Sequence, residues 1–355
     1  MKRLAFLALL ALASAGSEAA TSYTITDLGS LGSPSGYSSA SAINDEGQVV
    51  GTSGPPGAGH AFLYSSGTMT DLGTFPGGVE SGAGGINNLG QIVGSASGKS
   101  PTLYYHPFFY TGGKLQDLGF DGAATAINDA GEIVGSAQPN RIAHAFVYSA
   151  GLKHDLGTLG GTYSIADAIN AAGEVVGWAD IAATPEIQHA FIYAGGTIHD
   201  LGTLPGFSVS HAFGINKLGD VVGDLEDSAS GVGHAFVYEG GRMIDVNGGL
   251  LHVINSTATA INDRGQAVGW GEYQGGIPFG FLYEGGGMTD VKNLLPPNSG
   301  WTFLSATAIN NAGQIVGSGT NPSGAVHAYL LTPVPEPTFV LIWAAGMSFL
   351  YRHRS

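Results

Sequence analysis

Six histidines stand at matched places in this chain: His60, His106, His144, His189, His234 and His327. Their neighbours repeat with them, as in His60-Ala61-Phe62-Leu63-Tyr64 and His144-Ala145-Phe146-Val147-Tyr148. Imidazoles in such numbers raise the question of a metal, or of hydrogen bonds to the aspartates that recur after them, Asp71 and Asp155 among them. Acids offer a second chemistry. Asp167, Asp180, Asp224 and Glu226 would suit a glycosidase or lyase if they met, because such enzymes need two carboxyl groups about 5–10 Å apart. Aromatic residues offer a third: Tyr104, Tyr105, Tyr163, Trp178, Trp270, Tyr273 and Trp301 could stack on sugar rings while Asp and Asn take hydroxyls. Other chemistries lack their signatures. There is no Gly-x-Ser-x-Gly elbow and no phosphate-binding Gly-x-x-x-x-Gly-Lys-Ser/Thr loop. Asn44-Asp45-Glu46-Gly47 lacks the alternating ligands and distal Glu of a calcium loop.

The elements that would position these groups follow from one phrase, written seven times. It reads Ile-Asn, two variable residues, Gly, two more, Val, Gly. It begins at Ile43, Ile86, Ile127, Ile169, Ile215, Ile261 and Ile309, with Asn-to-Asn steps of 41 to 48 residues. Asn followed three residues later by Gly, between β-prone runs, predicts a hairpin with a four-residue turn. Asn bonds back to local backbone, and Gly supplies positive φ. Asn44, Asn170 and their equivalents are read as turn residues. The His-Ala-Phe word reads as a buried strand, and a word ending in Asp-Leu-Gly as another. Each unit then holds four strands: a ends in Ala-Ile-Asn, b in Val-Gly, c carries the His, and d ends at the Asp. The sixth c strand has Phe279 in place of the His. His211-Ala212-Phe213 falls in the wrong part of its unit and is set aside as a chance match.

The units do not start and stop in phase. Tyr23–Gly29 is a d strand with no a, b or c before it, and the seventh unit ends at Thr332-Pro333 with no d. An N-terminal strand completing the C-terminal unit closes a ring. The predicted fold is therefore all-β, a seven-bladed β-propeller of four-stranded blades. The small residues of strand a, such as Ser39–Ala42 and Ser256–Ala260, fit beside a crowded axis. A β-solenoid, the alternative, has no use for the split unit. In a ring, one His per blade cannot converge on one ion at ~2 Å bond lengths, so no metal and no cofactor is expected. The histidines are instead assigned to bonds within each blade. The b–c and d–a connections vary in length and share one face, the candidate binding face.

The two ends carry different messages. Met1 to about Ala20 has basic Lys2 and Arg3, an apolar run over 4–13, and small residues allowing cleavage after Ala15 or Ala19, the pattern of a secretory signal. Residues 21–333 are the propeller. Residues 334–355 begin Val334-Pro335-Glu336-Pro337, continue as a short apolar run, and end with Arg352 and Arg354, which predicts a tail held at or across the membrane. The chain has no cysteine and a net charge of −15. That charge disfavours nucleic acid and anionic surfaces as partners.

The repeat words His-Ala-Phe, Ala-Ile-Asn and Asp-Leu-Gly resemble the bacterial extracellular HAF repeat family over residues 23–333. The tail is similar to a PEP-CTERM sorting signal. Together these resemblances imply an exported envelope or extracellular protein, cut near Pro-Glu-Pro by an exosortase-type peptidase and associated with exopolysaccharide or biofilm. They bring no catalytic residue. The expectation is a non-catalytic binding or structural module, with polysaccharide as its partner. The alternative is a carbohydrate-active propeller enzyme with carboxylates at the channel mouth.

Overall fold

The computed structural model describes residues 22–98, 105–138, 142–182, 184–247 and 252–335. Its 28 strands form seven four-stranded antiparallel sheets. Six sheets each take four consecutive strands. The seventh is shared between the chain ends: β1 (Tyr23–Asp27) pairs with β28 (Val326–Pro333), placing Tyr23 opposite Pro333, Ile25 opposite Leu331 and Asp27 opposite Tyr329. The sheets are blades of a seven-bladed β-propeller, zipped shut by the first strand. Ser22 and Val334 meet at the seam, where the Val334 N–H donates to the Ser22 carbonyl at 2.8 Å.

Each blade has the same core pair. The aromatic of strand c is sealed from water: Phe62, Phe108, Phe146, Phe191, Phe236, Phe281 and, in blade 7, Tyr329 are 0–1% exposed. Directly across from each lies the Gly of Val-Gly, as Gly51 faces Phe62 and Gly317 faces Tyr329. A Cβ on Gly51 would sit 2.0 Å from the Ser39 carbonyl oxygen and 2.9 Å from the Phe62 ring. That glycine is needed for room rather than for its backbone angle. A buried Phe contributes about 1.5–3 kcal/mol, so seven such rings give every blade its own anchor. Tyr329 keeps its hydroxyl satisfied by donating to the Ser305 carbonyl at 2.6 Å.

All seven inner strands carry a bulge at the same place, at Ser41, Gly84, Thr125, Asp167, Phe213, Thr259 and Thr307. A bulge bends the strand and re-aims one side chain. Thr125 uses this to reach the Ala166 carbonyl of the next blade at 2.7 Å, and Thr307 to reach Ala40 at 2.9 Å.

The Ile-Asn turns do more than reverse the chain. Asn44 accepts the Gln48 N–H on its Oδ1 and turns at Gly47, whose φ is 75°. Its Nδ2 then donates to the carbonyl of Asn87, in the next blade, at 3.0 Å. Asn87 repeats the bond to Asn128, Asn128 to Asn170, Asn170 to Asn216, Asn216 to Asn262 and Asn262 to Asn310. Asn310 returns it to Asn44, at 3.0 Å. Seven amides thus form an unbroken circle around the axis. A second circle runs outside it, from Asp45 N–H to Asn88, Asn88 N–H to Asp129, Lys217 N–H to Asp263, Asp263 N–H to Asn311 and Asn311 N–H back to Asp45. It is open on both sides of Ala171, because Ala171 and Lys217 offer no side-chain acceptor. The 340 Å³ channel mouth at this end is lined by these same turns.

Candidate functional site: a polar and aromatic cluster in blades 4 to 6

The matched histidines are blade clasps. Nδ1 of His60, His106, His144, His189, His234 and His327 lies 2.7–3.1 Å from Asp71, Asp117, Asp155, Asp200, Asp245 and Asp27. Each aspartate also accepts the N–H two residues on, as Asp71 does from Gly73 at 2.7 Å. One carboxylate therefore ties strand c to the turn after strand d. Burial pushes the Asp27 carboxyl up, but hydrogen bonds from Gly29, Asn321 and His327 outweigh it and hold the group below its ordinary range. Blade 6 has no such histidine. There Tyr273 stacks on Phe279 at 4.1 Å and its hydroxyl donates to Asp290 at 3.3 Å. Burial pushes Asp290 up.

A different picture emerges one register step from the Val-Gly glycines, where strands a and b present a facing pair. In blades 1, 2, 3 and 7 these pairs are Ser39 with Thr52, Gly82 with Ser95, Ala123 with Ser136, and Ser305 with Ser318. In blade 4, β14 (Gly160–Ile169) and β15 (Val175–Ile181) pair Ile165 with Trp178. In blade 5, β18 (Val209–Ile215) and β19 (Val221–Asp227) pair His211 with Asp224. In blade 6, β22 (Val253–Ile261) and β23 (Ala267–Tyr273) pair Thr257 with Trp270. Directly opposed residues share one face of a sheet. Small residues thus fill this level in four blades, and bulky aromatic or ionisable ones in three consecutive blades.

These side chains are wired together across the blades. The Tyr163 N–H donates to Asp180 at 3.1 Å, and Gln188 Nε2 donates to the same carboxylate at 3.4 Å. Gln188 Oε1 lies 3.2 Å from His211 Nε2, and His211 Nδ1 lies 2.9 Å from Asp224. Asp224 also accepts from Thr257 Oγ1 at 3.0 Å. Both nitrogens of His211 are thus held, one by Asp224 and one by Gln188. Trp178 stands edge-on to His211, with ring centroids 5.4 Å apart. The Asp180 side chain is buried, while Trp270 is 44% exposed at the open side.

Asp167 completes the cluster from the bulge of β14. The residue is partly exposed, but its Oδ2 is closed off from water and has no hydrogen-bond partner. Burial pushes the carboxyl up to about 7, with His211 pulling it down and Asp224 pushing it up. An acid left in this state is costly, since an unmatched buried polar group is destabilising.

Of the four acids considered from sequence, Asp180 and Asp224 are joined here through Gln188 and His211, and Asp167 feels the charges of His211 and Asp224. The Glu226 side chain makes no hydrogen bond among the described residues. His211, set aside as a chance match, is the centre of the cluster. It does lie outside the clasp position, but its pairing with Asp224 depends on cross-strand register that the word match ignored. Of the aromatic candidates, Tyr163, Trp178 and Trp270 belong to this site. Tyr105 lies elsewhere, with Tyr37 and Glu80 in a 450 Å³ groove beside blades 1 and 2, and its hydroxyl donates to Glu80. Tyr273 takes the place of the missing clasp. Trp301 is 4% exposed and packs edge-on to Tyr329 in the core, which removes it from any ligand surface. Tyr104 lies outside the described residues, as do Glu336, Pro337, Arg352 and Arg354. Val334 and Pro335 follow β28 directly. Among the described residues no helix is long and apolar enough to cross a membrane, and no group of three or more His, Asp or Glu residues is arranged to hold a metal.

No family model matches this chain, and no curated protein does. Solved structures do. An acylaminoacyl peptidase from Pyrococcus horikoshii is similar with a TM-score of 0.53 at 10% identity, over 83% of this chain and 51% of the peptidase. TolB from Acinetobacter baumannii gives a TM-score of 0.41 at 14% identity, over 55% of this chain and 50% of TolB. A gluconolactonase from Xanthomonas campestris gives 0.40 at 11% identity, over 89% and 91% of the two chains. The likeness is one of fold alone. The chain spans about half the length of the TolB and peptidase structures. At these identities no site residue transfers, so function rests on the cluster itself.

Proposed function

We propose that this protein is an exported binding module of the cell envelope or extracellular matrix whose ligand is a carbohydrate, held at the blade 4 to 6 cluster. One observation carries the reading: a sevenfold repeat abandons its small facing pairs in three adjacent blades, where two tryptophans and a histidine–aspartate pair stand instead. Trp faces stack on sugar rings, and carboxylates accept from hydroxyls. Departures from local rules that leave an acid unmatched are expected at functional sites. Export and sorting rest on the sequence of the two ends, with an exosortase-type peptidase as the partner of the tail. The meeting of Ser22 and Val334 supports that reading, because removing both ends would leave the ring closed.

The test is a glycan array with the full chain, followed by titration of the best binders. Trp270→Ala is expected to weaken binding at least tenfold, and Ser136→Ala, at the matching level of blade 3, to leave it unchanged. Flat signals across the array, or full binding by Trp270→Ala, would end this reading. A glycosidase or lyase is the second reading, favoured by the presence of Asp167, Asp180 and Asp224 in one cluster. It requires new reducing ends or unsaturated sugars to appear when the chain is incubated with polysaccharide, and their absence removes it.

A further inference from the structure

We infer that the blade 4 to 6 cluster selects a ligand bearing a protonated amine, such as a glycan of free glucosamine units, and that the amine docks between Asp167 and Asp224. The inference rests on the carbohydrate reading for the sugar but not for the charge. Three carboxyl groups belong to this cluster, Asp167 from β14, Asp180 from β15 and Asp224 from β19, against a single imidazole. Among the described residues the only Lys or Arg ion pair to a carboxylate joins Lys217 to Asp263, on the turn face. Among the described residues no Lys or Arg pairs with the cluster's acids.

The donors present are already assigned. Asp180 takes the Tyr163 N–H and Gln188, and Asp224 takes His211 and Thr257. Asp167 alone is left over, its Oδ2 buried and unpartnered in the free protein. A neutral sugar hydroxyl would satisfy its hydrogen bond and leave the charge surplus in place. An ammonium group satisfies both. It carries three donors and a full positive charge, so one group serves both the hydrogen bonds and the charge of a carboxylate. The chain's net charge of −15 would draw such a ligand in.

Proton release provides the readout. The groups that face Asp167 are His211 from β18 and Asp224 from β19. A docked ammonium favours the ionised carboxylate, so near pH 7 binding must expel the proton that Asp167 holds. A neutral ligand expels none.

The experiment uses the full chain in calorimetric titrations at pH 6.5 to 7.5, each in two buffers of different ionisation enthalpy. The probes are glucosamine tetramer, its fully N-acetylated form, a neutral glucose tetramer, and putrescine as a sugar-free diamine. The expected result is at least tenfold tighter binding of glucosamine tetramer than of the acetylated form, with proton release. Asp167→Asn should reduce that affinity about tenfold and abolish the release. Equal affinity for the two tetramers, or unaltered binding by Asp167→Asn, overturns the inference and leaves the carbohydrate reading standing. Putrescine binding with no tetramer binding does the reverse. No binding by any probe overturns both.

Discussion

At the turn end of the channel every blade makes the same bond to its neighbour, and the bond is returned until it closes. One level in from the opposite loops, four blades pack small residues, and three hold Trp178, His211, Asp224 and Trp270 around an unmatched Asp167. The two regions come from one repeat and sit on the same strands. The difference separates what the repeat is for from what it carries. A group whose every atom is paired is positioned to hold the ring. Among the described residues two side chains keep a buried, unpaired atom: His327 is nonetheless held through Nδ1 by Asp27, whereas the Asp167 side chain has no hydrogen bond at all, so it weakens the ring and is explained by something outside it.

The largest expected effect breaks the turn circle. Asn170→Ala removes bonds to Ala172, Glu174 and the Asn216 carbonyl at once. Leaving buried backbone groups unpaired costs about 1–3 kcal/mol each, so the variant should lose on the order of 3 kcal/mol in denaturant titrations. Ligand affinity at blades 4 to 6 should be unaltered. A variant as stable as the parent would reduce the Asn circle to a by-product of turn geometry.

A smaller effect of opposite sign is expected at Asp167. Its folded carboxyl titrates near 7 and its unfolded one near 3.9. The folded state therefore holds a proton that the unfolded state releases between those values, and stability falls as pH rises from about 4 to about 7. Asp167→Asn does not titrate. It should be more stable than the parent by on the order of 2 kcal/mol at pH 8, with no gain at pH 4. The gain is less than the full linkage term because an amide is also buried there. Stability gained with binding lost is the signature of a functional residue. A loss of stability at pH 8 would instead place Asp167 with the clasps.

The contrast also explains what the sequence made legible. The seven blades, their closure by Tyr23–Asp27, and the clasp between His60 and Asp71 can be read because each is a matter of spacing within one repeat. The Asn circle was hidden by its own sufficiency. A turn fully accounts for Asn44, and nothing in the local words shows that Nδ2 reaches 43 residues on. The same limit concealed the serines. Ser81 and Ser210 accept the N–H of Ala61 and Ala190, at 2.8 and 2.9 Å, across the blade boundary. The role of His211 depends on its register against Asp224, which a word match does not contain, and the burial of Trp301 is not written in residue type. Comparing position 178 with 52, 95 and 136 down the repeats would have isolated the cluster from sequence alone.

The smallest effect tests whether blades 4 and 5 are weakened on the turn face as well. The outer circle fails at Ala171 and Lys217 and nowhere else among the described turns. There the Asp129 N–H lacks the side-chain acceptor that Asp45, Asn88 and Asp263 find in their neighbours. Ala171→Asn supplies that acceptor. One exposed hydrogen bond is worth about 0.5–1 kcal/mol, so a gain of this size in thermal or denaturant unfolding is expected. The Lys217 gap remains open in the variant, which makes the double change Ala171→Asn with Lys217→Asn the sharper form. If the circle acts as a closed unit, the second substitution should add more than it does alone. Simple additivity would show that each bond acts only for its own pair of blades.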